Sequence, residues 1–218
     1  MRMRKKRHGE ERLARCAEFL LTDPAALFGD PASPFYGREG EIHLEIGCGK
    51  GAFAVESAAR HPERRYLAVE KVENVMINAL ERAEAARESC VGNLRFLIAH
   101  AEDLENWLPP RSVSAIYLNF SDPWPKKGHV RRRLTAPERV EQYKRLLAPG
   151  GRIIQKTDND ELFAFSLGTL EEAGFETEFV TSDLHASSRA EENVMTEYER
   201  AFSEQGKQIN CLICRLPD

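Results

Sequence analysis

The sequence predicts an α/β fold built on a mostly parallel sheet. From residue 41 onward, short apolar segments alternate with segments whose apolar residues recur every three to four positions. Polar turns follow the apolar segments, among them a Gly-Cys-Gly-Lys-Gly run and an Asp-Pro-Trp-Pro run. Such alternation produces parallel strands with helices on both faces of the sheet. Two β-like segments end the chain and predict an antiparallel C-terminal strand.

The individual elements follow from apolar runs and from their boundary residues. Strands are expected at Ile42–Ile46, Arg65–Val69, Leu94–Ala99, Val113–Phe120 and Arg152–Lys156, with β-like segments at Phe175–Ser182 and Gln208–Leu216. Helices are expected at Ala52–Arg60, Glu73–Arg87, Pro137–Leu147 and from Asn159 to about Ala173. Pro62 stops the first helix, and Pro137 suits the first position of another.

Two regions of organisation are expected. Residues 1–40 lack a clear period and predict a basic N-terminal arm, one short helix and a loop, ahead of a single domain over residues 41–218. No apolar run approaches the ~18 residues of a membrane span, and the basic N-terminus lacks the apolar core of a secretory signal. The expected compartment is therefore the cytoplasm. The five cysteines have no framework spacing and are expected to be reduced.

Positive charge is concentrated in two stretches, although the net charge of the chain is −4. Residues 1–15 hold seven Lys and Arg against two Glu, and residues 121–145 hold eight against three acids. A phosphate backbone responds to such local patches rather than to the overall charge. The two stretches favour a nucleic-acid partner; the alternative for the first is a solvated, disordered tail.

A glycine-rich turn follows the first strand, in the run Glu45-Ile46-Gly47-Cys48-Gly49-Lys50-Gly51. Glycine lets the backbone turn tightly and approach a ligand closely. The G-x-G-x-G spacing departs from the dinucleotide fingerprint, and Glu45 would be a poor neighbour for a pyrophosphate. Glu70 ends the second strand, where related sheets carry an acid that holds ribose hydroxyls. A ligand with a ribose and a cation but no phosphate fits these residues, and S-adenosylmethionine is such a ligand.

The segment from Asn119 to Lys127, Asn-Phe-Ser-Asp-Pro-Trp-Pro-Lys-Lys, follows a predicted buried strand. The carboxyl ends of such strands are where open α/β sheets bind ligands. Its two prolines stiffen the loop and present Asp122 rigidly. Lys126, Lys127 and Arg131–Arg133 are expected to bind phosphates, with a solvated rim as the alternative. Trp124 is equally compatible with stacking on a base and with anchoring the loop.

With these motifs in hand, the chain resembles the bacterial tRNA (guanine-N7-)-methyltransferases from about residue 40 to residue 205. The matching motifs are Leu44 to Gly51, Glu70, Tyr117 to Lys127, Lys156-Thr157-Asp158-Asn159 and Met195-Thr196-Glu197-Tyr198-Glu199. The Asp-Pro-Trp-Pro-Lys-Lys block and the Met-Thr-Glu-Tyr-Glu block are specific to that family, whereas many methyltransferases share the glycine motif. The resemblance implies a Rossmann-like methyltransferase domain over residues 41–218.

The resemblance implies methyl transfer from S-adenosylmethionine to N7 of guanosine 46 in the tRNA variable loop. It places Glu45, Glu70 and Asp122 at the cofactor, with Gly47 and Gly49 in the turn. It places Lys126, Asp158, Thr196 and Glu199 at the substrate. His100 stands where the family usually has Asp or Asn near the adenine, so either His100 or Glu102 is expected to act there.

The expected methyl transfer to guanine N7 depends little on a general acid or base. Guanine N7 has a lone pair and no proton, so its attack on a sulfonium methyl needs alignment rather than proton abstraction. Asp122 is therefore expected to be catalytic by stabilising the charge on the purine or by orienting the base. Thr196 and Glu199 also spell a helix capping box, and Asp158 suits a helix cap. Neither Cys211-x-x-Cys214 nor the six histidines predict a metal site.

Three alternatives remain at this point. A methyltransferase acting on a base amino group is one, because Asn119 to Trp124 distantly resembles the motif of those enzymes. A noncatalytic RNA-binding protein with a methyltransferase fold is the second, and the intact glycine turn with Glu45 and Glu70 disfavours it. A dehydrogenase is the third, disfavoured by the glycine spacing. The sequence leaves open the oligomeric state and the set of tRNAs.

Overall fold

A computed structural model describes residues 8–30, Ser33, Phe35 and residues 41–218. The chain divides after Trp107 into two compact units. Most of the predicted basic arm, residues 1–7, lies outside the described residues, as do several residues of the predicted loop before residue 41.

The first unit contains parallel strands and the helices between them. In chain order its elements are α1 (Gly9–Arg15), β1 (Leu20–Leu21), α2 (Pro24–Gly29), β2 (Ile42–Ile46), α3 (Ala52–Arg60), β3 (Arg65–Glu70), α4 (Glu73–Ala85), α5 (Arg87–Cys90), β4 (Leu94–Ile98) and a 3-10 helix (Ala101–Asn106). The strands lie in the order β1-β4-β3-β2, and the three pairings between them are parallel.

The core of the first unit explains why the N-terminal helix and strand belong to it. Phe19, Phe96 and Leu80 are fully buried in one cluster, and the backbone amide of Phe96 donates to the carbonyl of Phe19 at 2.8 Å. Burying a side chain of this size contributes about 1.5–3 kcal/mol. The residues just before and in β1 therefore help to hold β4 in place.

The second unit adds the antiparallel strands. Its elements are β5 (Val113–Asn119), a 3-10 helix (Lys127–Arg132), α6 (Pro137–Leu146), β6 (Leu147–Thr157), α7 (Asp160–Glu172), β7 (Glu176–Thr181), α8 (Glu197–Ser203) and β8 (Asn210–Arg215). β5 pairs parallel with β6, whereas β8 pairs antiparallel with both β6 and β7. The predicted α/β class, with mostly parallel strands and an antiparallel C-terminal strand, is confirmed.

Candidate functional site

The glycine turn after β2 leaves open space beside its backbone. Gly47 and Gly49 have φ angles of 81° and 57°, and a Cβ added at either would meet no heavy atom within 4 Å. Gly51, with φ of 74°, is different because its Cβ would lie 2.8 Å from the Cβ of Ala79 on α4. Gly51 thus permits close helix packing, while Gly47 and Gly49 give a ligand access to the backbone.

Two predicted cofactor residues of the first unit are in direct contact. The Glu70 carboxylate accepts a hydrogen bond from the amide of Gly49 at 3.3 Å and another from the amide of Val72 at 2.9 Å. A carboxylate offers about four acceptor positions, so capacity remains for ribose hydroxyls. Glu45 is 3% exposed at the end of β2, immediately before the turn. An acidic, open glycine turn suits a cation with a ribose and fits S-adenosylmethionine.

The residues predicted near the adenine lie at the end of β4. His100 precedes the 3-10 helix Ala101–Asn106 and makes no side-chain cap to it. His100 and Glu102 are both exposed.

The loop of the second unit that contains the segment Asn119 to Lys127, called the motif loop below, adopts an unusual backbone. Phe120 and Trp124 have φ angles of 51° and 42°, which side chains other than glycine rarely adopt. Asp122 lies between them and is exposed. Left-handed residues of this kind cost about 1–3 kcal/mol each and persist where the surroundings hold them. The loop is therefore held in a defined shape at the position predicted to be catalytic.

Arg133 is turned inward rather than toward solvent. Its side chain is 3% exposed and its Nη2 atom lies 2.6 Å from the Glu161 carboxylate. Its guanidinium also donates to the carbonyls of Pro123 at 2.8 Å and Trp124 at 3.4 Å. The prediction that Arg133 binds phosphate is wrong, because its donors are engaged inside the protein.

The neighbouring basic residues face solvent, as a phosphate-binding surface and a solvated rim would both require. Lys126, Lys127, Arg131 and Arg132 are exposed, with 90% of the Arg131 side chain accessible. The Arg132 guanidinium lies 5.0 Å from the centre of the Trp124 ring, and His129 meets the same ring edge-on at 5.6 Å. The half-buried Trp124 is therefore packed by its own loop, which favours its role as a loop anchor.

A buried ion pair joins β6 to the start of α8. The Lys156 ammonium lies 2.6 Å from the Glu199 carboxylate, with the two side chains 4% and 0% exposed. Lys156 also donates to the carbonyl of Val194 at 2.8 Å and to the side-chain oxygen of Asn193 at 3.0 Å. The segment before α8 is thereby fastened to the sheet of the second unit.

The remaining oxygen of Glu199 has partners of its own. His185 Nε2 lies 2.8 Å from Glu199 Oε1, and the Asn193 amide donates to the same oxygen at 2.6 Å. Burial raises the pKa of Glu199, but the Lys156 charge and the hydrogen bonds from Lys156, His185 and Asn193 outweigh burial and lower it below its usual value. Sequence reasoning missed His185 and Asn193, since neither stands in a recognisable motif.

The capping box predicted from the sequence is present. Thr196 Oγ1 accepts from the amide of Glu199 at 2.9 Å, and the Glu199 carboxylate accepts from the amide of Thr196 at 3.3 Å. Thr196 is half-buried. The capping box and the ion pair use the same carboxylate, which ties the beginning of α8 to Lys156.

Asp158 follows β6 and is paired with a lysine. Its carboxylate lies 2.5 Å from Lys207 Nζ, and its side chain is 21% exposed. The Asn159 side chain, rather than Asp158, caps α7 by accepting from the amide of Leu162 at 2.8 Å.

Tyr198 is 54% exposed and packs against two phenylalanine rings. Its ring centre lies 5.5 Å from that of Phe120 and 4.6 Å from that of Phe202.

Metal-binding clusters, thiols and membrane spans are the other features of the described residues that bear on function. These residues hold no group of three or more His, Cys, Asp or Glu that could bind a metal ion. All five cysteines are buried free thiols, and burial raises the pKa of Cys90 and of Cys211 to about 11. No helix in the described part of the chain is long and apolar enough to cross a membrane.

Comparison with known proteins agrees with this geometry. A family model described as "Putative methyltransferase" matches residues 39–212. The tRNA (guanine-N(7)-)-methyltransferase of Geobacillus kaustophilus is 40% identical over 218 residues, covering 100% of this chain and 98% of that protein. The corresponding enzyme of Lactococcus lactis is 40% identical over 210 residues, covering 96% of this chain and 95% of that protein.

Solved structures confirm the fold. An antibiotic-related methyltransferase superposes with a TM-score of 0.60 at 12% identity, covering 99% of this chain and 97% of its own. A 16S rRNA (adenine(1408)-N(1))-methyltransferase from Catenulisporales acidiphilia, solved with its cosubstrate S-adenosylmethionine, gives a TM-score of 0.56 at 14% identity, covering 98% and 93%. The sequence relatives establish the family, because their identity to this chain extends over essentially its whole length and is much higher than that of the solved structures that share the fold. The chain belongs to the bacterial tRNA (guanine-N(7)-)-methyltransferase family.

Proposed function

We propose that the protein transfers the methyl group of S-adenosylmethionine to N7 of guanosine 46 in the variable loop of tRNA, giving 7-methylguanosine. The observation that carries this proposal is the motif loop after β5, with Asp122 exposed between two left-handed residues and beside the exposed Lys126 and Lys127. Family membership supports the reaction and the cofactor, and the resemblance of the motifs supports position 46.

The first unit supplies the cofactor contacts. When bound, S-adenosylmethionine supplies a methyl group on a positively charged sulfur. Gly47 and Gly49 expose backbone in the open turn, Glu45 contributes a buried negative charge, and Glu70 accepts from ribose hydroxyls. His100 or Glu102 contacts the adenine. The hydrogen bond from the Gly49 amide to Glu70 supports this arrangement, because it sets the acid and the turn in one geometry.

The second unit supplies the groups that act on guanine. N7 has no proton to lose, so the residues must align the base rather than deprotonate it, and alignment is worth up to about 7–11 kcal/mol in favourable cases. Asp122 accepts from guanine N1-H and N2-H₂ or stabilises the positive charge that methylation leaves on the purine. Asp122 is also assigned to the cofactor, as the family resemblance implies.

The substrate contacts proposed for tRNA are of two kinds. Lys126, with Lys127 and the outward arginines, neutralises phosphates. Asp158 and Thr196 offer partly exposed polar groups, and Asp158 must share its carboxylate with Lys207. The role proposed for Glu199 at the substrate is indirect, because its carboxylate is buried and bound by Lys156, His185 and Asn193: it holds the segment that carries Thr196.

The remaining assignments rest on the sequence. The proposed division is a basic arm and loop over residues 1–40 and a methyltransferase domain over residues 41–218; within the first stretch, Phe19 and β1 pack into the core and the sheet of the first unit. The arm adds positive charge for phosphates. The cytoplasm is the proposed compartment, as it is where tRNA is modified.

The test is incubation with unmodified tRNA and methyl-labelled S-adenosylmethionine, followed by digestion and nucleoside analysis. The expected product is 7-methylguanosine, located at position 46 by using a tRNA in which that guanosine is replaced. A methylated exocyclic amino group would favour the amino methyltransferase instead. Cofactor binding by calorimetry with no methyl transfer to tRNA would favour the noncatalytic RNA-binding protein.

A further inference from the structure

The arginine run after the motif loop points in two directions. Arg131 is 90% exposed and lies 3.8 Å from Glu138, whereas the Arg133 side chain is 3% exposed. If positive charge were the only role of this run, Arg131 and Arg133 would both be expected to face a phosphate backbone. A buried guanidinium is expensive unless its donors are satisfied, so Arg133 has a different role.

The contacts of Arg133 fall on the backbone next to Asp122. Its Nε atom donates to the Pro123 carbonyl at 2.8 Å and its Nη2 atom to the Trp124 carbonyl at 3.4 Å. These two carbonyls belong to the peptide groups on either side of Trp124, which has a φ of 42°. Proline fixes φ at positions 123 and 125, so Arg133 restrains the residue that the prolines leave free.

The far side of the guanidinium is fixed to α7. Nη2 lies 2.6 Å from the Glu161 carboxylate, and the guanidinium carbon lies 4.5 Å from the centre of the Phe165 ring. One planar group therefore joins two loop carbonyls, a carboxylate and an aromatic face. A lysine could keep the charge but not this fork of donors.

We infer that Arg133 is a positioning residue for methyl transfer, acting through the backbone of Pro123 and Trp124 to hold Asp122 in its working geometry. The inference rests on the proposed function, in which Asp122 orients the guanine. Arg133 itself touches neither tRNA nor cofactor. Its role therefore appears in turnover and not in phosphate binding.

Steady-state kinetics separate these two roles. Arg133→Lys is expected to lower kcat at saturating tRNA by about 10- to 100-fold, because small misplacements of a catalytic group cost up to about 10²-fold. Its KM for tRNA and the salt dependence of KM should stay near wild type. Arg131→Met is the contrasting variant, expected to raise KM and flatten the salt dependence, with a smaller loss of kcat than in Arg133→Lys. An Arg133→Lys profile that matches Arg131→Met would overturn the inference.

A spectroscopic readout follows the loop directly. The chain has two tryptophans, so a Trp107→Phe background leaves Trp124 as the reporter. Arg133→Lys in that background should make Trp124 fluorescence more accessible to acrylamide, at an unchanged circular dichroism spectrum. Unchanged quenching together with wild-type kcat would contradict the inference.

A second variant covers the case in which Arg133→Lys does not fold. Glu161 is 65% exposed, so Glu161→Ala removes the anchor on α7 without emptying a buried site. This variant should also lower kcat, by several-fold, and it should increase the quenching of Trp124 fluorescence by acrylamide. Wild-type values for both would overturn the inference. If the wild-type protein gives no 7-methylguanosine, the proposed function fails; if it does and these variants match it, the positioning role alone fails.

Discussion

The ammonium of Lys156 lies 2.6 Å from the carboxylate of Glu199, and neither side chain is more than 4% exposed. This pair joins the end of β6 to the beginning of α8 across 43 residues of sequence. A buried pair is costly to break from one side, since the remaining charge is left without its partner. The pair therefore fixes where the Met-Thr-Glu-Tyr-Glu segment sits within the second unit.

Lys156→Met should destabilise the protein by about 3–5 kcal/mol, because Glu199 would keep a buried charge without its main counterion. Urea unfolding followed by circular dichroism measures the loss. Lys207→Met is the matched control: Lys207 pairs with Asp158 but is 45% exposed, and exposed pairs contribute about 0–1 kcal/mol. Similar small losses in both variants would show that burial of the Lys156 pair is not decisive.

The same carboxylate makes stability depend on pH in the acid range. The folded-state pKa of Glu199 is lowered, so its stabilisation is fully present above the ordinary glutamate value of about 4.3 and is lost as pH falls through the folded value. Glu199→Gln should therefore flatten the fall in unfolding free energy below about pH 4.3. Parallel pH profiles for wild type and variant, measured by denaturant unfolding, would remove Glu199 as a source of this dependence.

Glu70→Ala should weaken S-adenosylmethionine binding by about 1–3 kcal/mol, since it removes a charged acceptor from the ribose and a partner from the Gly49 amide. Isothermal titration calorimetry measures the change. Glu63→Ala serves as the control, because Glu63 is 63% exposed and lies before β3, away from the glycine turn. Equal affinities for the Glu70 and Glu63 variants would exclude Glu70 from the cofactor site.

Deletion of residues 2–7 should weaken tRNA binding and flatten its salt dependence. With fewer phosphate contacts, fewer counterions are released from the tRNA on binding. Cofactor affinity should stay unchanged. Binding titrations at several salt concentrations provide the slope. A slope equal to that of the full chain would make the arm a solvated tail.

Asp122→Asn should lower single-turnover rates by about 10²–10³-fold, more than it lowers tRNA affinity, because the amide loses the charge and donates where guanine also donates. The wild-type rate should be nearly flat between about pH 6 and pH 8, because guanine N7 has no proton for a general base to remove. Rapid-quench kinetics measures both. A steep pH dependence lost in the variant would indicate proton abstraction and favour an amino methyltransferase.

Local patterns carried the prediction of the central elements. Ile42–Ile46 was predicted with the bounds observed for β2, and the glycine turn after it was expected to open toward a ligand. These features depend on a few neighbouring residues, such as a buried apolar run and glycines at left-handed positions. β1 was not predicted. A strand of two residues is too short to show an alternation of apolar and polar residues, and β1 forms through its pairing with β4.

Long-range contacts could not be predicted in the same way. Arg131 and Arg133 have identical side chains two positions apart, and their opposite burial follows from Glu161 and Phe165 on α7. Glu199 was expected at the substrate, and its spacing from Thr196 also indicated the capping box that is present, but its pairing with Lys156 and His185 depends on how β6 and α8 pack. Tertiary packing, rather than local propensity, decided each of these roles.

Attack by guanine N7 on the methyl group is tested most directly by measuring methyl transfer to a tRNA that carries 7-deazaguanosine at position 46. This base keeps N1-H and the exocyclic amino group but has carbon in place of the N7 nucleophile. We expect rapid labelling of the matched tRNA with guanosine 46 and no transfer to that position in the substituted tRNA, with similar binding of the two tRNAs. Equal transfer to position 46 in both would contradict attack by N7 and assign the methyl group to another atom of the base.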